Sequence, residues 1–108
     1  MGMDWRKKLL EEGFLEVGAF RIELTLDNTF LDLDYIPRVI IYDYERERWY
    51  VLRNPIPKGK TLEEGWRNAV EVLGRIAEGS EEALLPDPDL ARKFAEVLGK
   101  LHGDSTKW

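Results

Sequence analysis

The stretch VIIYDYERERWYVLRNPIP, residues 39–57, decides the fold. Two runs rich in β-branched and aromatic residues flank the charged tetrad Glu45-Arg46-Glu47-Arg48, the pattern of a hairpin. A four-residue loop over that tetrad sets Tyr44 opposite Trp49, Tyr42 opposite Val51 and Ile40 opposite Arg53. The other face then carries Val39, Ile41, Asp43, Tyr50 and Leu52. Neither face is cleanly polar. One must line the core, and the other leaves rings and guanidinium groups toward solvent.

Upstream, residues 20–26 (FRIELTL) alternate strictly, with Phe20, Ile22, Leu24 and Leu26 on one side. Leu15 and Val17 alternate in the opposite phase, and Gly18 is a bulge or turn between the two runs. A loop over residues 27–30 pairs Leu26 with Leu31, Leu24 with Leu33 and Ile22 with Tyr35. Pro37 marks a bend or a sheet edge. Residues 38–44 and 49–54 complete four strands.

Helical periods lie on either side. Asp4 caps a short amphipathic helix that stops at Gly13. Thr61-Leu62-Glu63-Glu64 is a capping box, followed by apolar residues at helical spacing from Leu62 to Ala77 and a stop at Gly79. Residues 80–85 can add one more turn. Asp87-Pro88 caps and starts a third helix, with Leu90, Phe94, Val97, Leu98 and Leu101 as its stripe and Gly103 as its end. The expected fold is α+β: a four-stranded antiparallel meander sheet with helices packed on one face, in the order α-β-β-β-β-α-α. Residues 1–103 form a single domain and residues 104–108 a flexible C-terminal tail.

Composition narrows the functional classes. A chain of 108 residues, 44% hydrophobic and 34% charged, has the makeup of a soluble domain with one core. The absence of cysteine excludes disulfides, thiolate catalysis and cysteine metal sites, and fits a cytoplasmic location. No apolar run suits a bilayer, so no membrane partner is expected. Gln is absent and Asn occurs only at Asn28, Asn54 and Asn68, a bias that suggests a thermophile. The net charge of −5 disfavours nucleic acid as a partner. The charge is uneven, however: six cations and three anions give residues 38–60 a net +3, leaving −8 elsewhere.

No motif supports chemistry. Asp27, Asp32 and Asp34 offer carboxylates, but without the glycine and bidentate glutamate of a calcium loop they read as the polar face of a strand. His102 is the single imidazole, at a helix end, and no serine is placed to join it as a nucleophile. No phosphate-binding glycine loop is present. No cofactor, metal or catalytic residue is expected, and an enzyme working through surface carboxylates is the least favoured class.

The expected role is a small accessory interaction or assembly module, oligomeric or bound to a protein partner. Tyr42, Tyr44, Arg46, Arg48, Trp49 and Arg53 are the candidate contact residues, because Tyr, Trp and Arg anchor interfaces. Trp108, at the end of the tail, is a further anchor. The same residue types also stack single-stranded nucleic acid, which is the alternative. Finally, Gly59-Lys60-Thr61, Glu63-Glu64 and Asn68-Ala69, leading from a strand through a Pro-containing loop into a helix, resemble the HicB-type antitoxin domain. Lys60 and Gly65 depart from the pattern of that family, which has Asp and Ala there. The resemblance implies toxin neutralisation and DNA binding by an oligomer.

Overall fold

A computed structural model describes residues 4–28 and 34–106. The chain is α+β, with elements in the order α1 (Trp5–Glu12), β1 (Phe14–Val17), β2 (Phe20–Asn28), β3 (Tyr35–Asp43), β4 (Arg48–Val51), α2 (Leu62–Glu78) and α3 (Pro88–Thr106). The four strands form one antiparallel meander in chain order, and all three helices pack on one side of it.

Each helix begins where its sequence dictates, and α1 and α2 also end there. The Asp4 carboxylate accepts from the Lys7 amide, and the Thr61 hydroxyl accepts from the Glu64 amide at 3.1 Å. Gly13 and Gly79 close α1 and α2 in the left-handed conformation, at φ +80° and +83°. Asp87 caps α3 by accepting from the Asp89 amide at 2.9 Å, with Pro88 as the first helical residue. Residues 80–86 form no further helical turn. Gly103 does not adopt a positive φ, so nothing ends α3 there and the helix continues to Thr106. Lys107 and Trp108 lie outside the described residues.

Two registers differ from those the sequence suggested. β2 pairs with β3 so that Ile22 faces Ile41, Leu24 faces Val39 and Leu26 faces Pro37. Ile22 and Leu24 therefore do not pair with Tyr35 and Leu33; Leu31 and Leu33 lie outside the described residues. The observed register sets four aliphatic side chains together, and Ile22, Val39 and Ile41 are wholly buried. Burial of that size outweighs the shorter loop. Pro37 is compatible with it. The Tyr35 amide and carbonyl exchange hydrogen bonds with Gly59, away from β2. Two residues on, the Pro37 nitrogen points the same way, beyond the end of β4. The fourth strand is β1, which turns into β2 through Gly18-Ala19 and pairs Val17 with Phe20.

In the β3–β4 hairpin, Tyr42 faces Trp49, Ile40 faces Val51 and Asp43 faces Arg48. The turn is residues 44–47, one position earlier than the charged tetrad. Asp43 sets it: its carboxylate accepts from the Glu45 amide at 3.0 Å and the Arg46 amide at 3.3 Å. The shift moves each pairing by two residues, so each side chain keeps its face. Val39, Ile41, Asp43 and Leu52 are buried toward the helices. The core joins them to Leu15, Phe20, Ile22 and Leu24 of the sheet, to Trp5 and Leu9 of α1, and to Val70, Leu73, Ile76, Leu90, Phe94 and Leu98 of α2 and α3.

Candidate interaction surface

The helices leave the other side of the sheet open. Strand alternation and register place its side chains in rows across the strands. Glu16, Arg21, Tyr42 and Trp49 form one row, and Phe14, Glu23, Ile40 and Val51 the next. Thr25 and Arg38, then Asp27 and Ile36, follow along β2 and β3. Arg53, exposed just past β4, continues the outward alternation after buried Leu52. Trp49 is 56% exposed, Val51 47%, Tyr44 45% and Phe14 36%.

The rings support one another. Tyr42 lies between Trp49, with centroids 4.6 Å apart, and Tyr44, at 5.1 Å and nearly perpendicular. Arg21 stands over the Phe14 ring at 4.3 Å and binds Glu23 at 3.0 Å and Glu16 at 3.2 Å. The Tyr44 hydroxyl donates to Glu16 at 2.9 Å, and that carboxylate pushes the phenol pKa up. Glu23 does the same, more than any other neighbour, to the Arg21 guanidinium. Arg38 pairs with Asp27 at 2.7 Å.

The candidate residues do not all fall on this face. Tyr42, Tyr44, Trp49 and Arg53 do, but Arg46 and Arg48 belong to the helix side. Arg46 binds Asp87 at the start of α3 at 2.6 Å and lies 3.7 Å from Asp43. Asp87 is the main reason that its pKa is raised, and Arg46 in turn holds Asp87 below the ordinary carboxylate value. Arg48 alternates with outward-facing Trp49 and lines an open cleft of about 490 Å³ with Arg46, Tyr50, Pro86 and Asp87. Trp108 lies outside the described residues.

Sequence reasoning set Val51 on the face of the rings and Arg21 on the polar side of its strand, but named neither, nor Phe14 or Arg38, as a contact residue. The signal was present in the alternation of residues 14–17 and 20–26, but its use required the register between strands. The other chemically suggestive groups are dispersed. Asp27 is taken by Arg38, and Asp32 lies outside the described residues. The His102 ring is largely buried against Trp5, with its Nε2 3.6 Å from a Glu78 oxygen. Among the described residues, no three His, Asp or Glu side chains gather as a metal site, and no helix is long and apolar enough to cross a membrane. Comparison of the chain with protein-family models, with characterised proteins and with solved structures returns no match.

Proposed function

We propose that this protein is an interaction module whose helix-free sheet face binds a protein surface, either another protein or a second copy. The observation that carries this reading is the exposed ring cluster Tyr42, Tyr44 and Trp49, extended by Val51 in the next row, with Arg21 beside it and Phe14 under that guanidinium. Stacked rings are rigid, so little conformational entropy is lost when a partner covers them. Their neighbours Glu16, Glu23 and Asp27 already hold Arg21 and Arg38, so the charged groups are pre-positioned. Apolar rings beside paired charges have the makeup of a reversible interface.

The same face is a poor match for single-stranded nucleic acid. Arg21, Arg38 and Arg53 are balanced by Glu16, Glu23 and Asp27, so it offers phosphates no net positive charge. The test pairs Trp49→Ala with Arg53→Glu, both on the open face. Association measured by light scattering, or by pull-down from source-cell lysate, is lost in the double variant while it still folds and melts cooperatively. Association that survives the double substitution refutes the reading. Binding of oligo-dT at low salt that weakens steeply as salt rises replaces it with the nucleic-acid alternative.

A further inference from the structure

The open face is electrically neutral as a whole but divided across its width. The β1–β2 half carries Glu16, Glu23, Asp27 and Arg21, a net −2, and the other half carries Arg38 and Arg53, a net +2. A chain of net charge −5 resists its own copies over most of its surface. On this face that resistance is absent, and the two halves attract each other's counterparts.

Resting on the interaction reading above, we infer that the occupant of this face is a second copy of the same chain, packed face to face. The dyad runs parallel to the strands, between β2 and β3. Such an axis carries the β1–β2 half of one protomer over the β3–β4 half of its partner. Phe14 then meets the partner's Val51, and Arg21 meets the partner's Tyr42 ring. Arg38 meets the partner's Thr25, within reach of Glu23 and Asp27 on either side of it. A dyad across the strands instead stacks equivalent strands, so that the middle row, Glu23 included, meets its own copy. The charge pattern selects the first arrangement. The sheets stack with their strands aligned, as paired antiparallel sheets do.

Area sets the class of contact. Two strands of nine residues and two of four cover roughly 400 Å² in projection, at about 3.4 Å per residue and 4.8 Å between strands. Two such faces lie at the low end of specific interfaces, where contacts are weak and reversible. A weak contact of this class is half-formed at roughly 10 μM to 1 mM, a range that reflects its small size together with the cost of association.

Light scattering on the full chain up to about 1 mM tests this. The expected mass rises with concentration from 12.6 kDa toward twice that value. Arg38→Glu and Glu23→Arg each stay monomeric, because each homodimer now opposes like charges twice. An equimolar mixture of the two recovers a heterodimer, since the swapped groups attract across the dyad. Wild type that remains monomeric at 1 mM overturns the inference, and so does a mixture no heavier than its parts. A photocrosslinking amino acid in place of Val51, irradiated in source-cell lysate, separates the two levels of claim. An adduct of two copies supports the dimer. Adducts only with another protein overturn the dimer but leave the interaction reading, and no adduct at all removes both.

Discussion

Gly59 has no room for a side chain. A methyl group there would meet the Gly65 backbone, with the Gly65 Cα 2.7 Å away, because the connection from β4 to α2 lies directly on the first turn of α2. The Gly59 amide and carbonyl are meanwhile fixed by Tyr35, at 2.9 and 2.7 Å. Gly59→Ala should lower stability by about 1–3 kcal/mol in urea titration, with the slope against denaturant unchanged. Gly65→Ala should cost less, since its nearest neighbour is the flexible end of Leu26. Asn54 is a second such point. Its Nδ2 donates to Glu81 and to the Glu82 carbonyl, both at 2.7 Å, and its Oδ1 accepts from the Leu84 amide at 2.8 Å. Asn54→Ala leaves that half-buried amide without its acceptor and removes all three bonds, and should cost about 1–3 kcal/mol in the same titration. The sequence showed the packing role of neither residue, although Gly59 was among those that carry the resemblance. Every partner of Asn54 is 27 or more residues away, and the closeness of Gly59 to Gly65 arises only when the connection folds back.

The elements themselves were legible where local chemistry decides them. Asp4, Thr61 and Asp87 mark helix starts because capping involves residues within four positions of each other. Registers were less legible, because they are set by what both faces of a sheet bury. In β2–β3, Val39 and Ile41 displaced the nearer Leu33 and Tyr35 as partners of Leu24 and Ile22. In the hairpin, one buried carboxylate, Asp43, overrode the charged tetrad as the site of the turn. The hairpin and α3 are linked by Arg46 and Asp87, and this contact carries a pH dependence. Asp87 releases its proton more readily in the folded chain than at its ordinary value of 3.8. Its ionised form therefore adds stability at neutral pH, and the contribution fades as pH falls below about 4 through the lower folded value. Asp87→Asn keeps the helix cap but loses the charge. Its melting temperature should lie below wild type at neutral pH, and the gap should close as pH falls below about 4. Arg46→Glu should likewise reduce stability, since it sets three acidic groups together at positions 43, 46 and 87.

For the whole molecule, sequence order foretold the layers, because strands followed by helices can hide only one side of a sheet. It did not foretell which arginines stand with the rings, since Arg46 and Arg48 depend on the turn position and on α3. The partition gives a clear expectation. Substitutions on the open face, Trp49→Ala and Arg53→Glu, should lower folding stability by no more than about 1 kcal/mol while removing association, whereas changes at Asp43 or Arg46 should do the reverse. The depth of the tryptophans offers a way to watch this. Trp5 is sealed in the core, Trp66 is half-covered and Trp49 projects from the open sheet. In a chain whose Trp108 is replaced by Phe, iodide should extinguish mainly the Trp49 emission. A partner arriving on the sheet should shield that emission and shift it to shorter wavelength, while Trp5 stays dark to the quencher throughout. The molecule thus carries its own optical gauge of occupancy, with an internal standard sealed in its core.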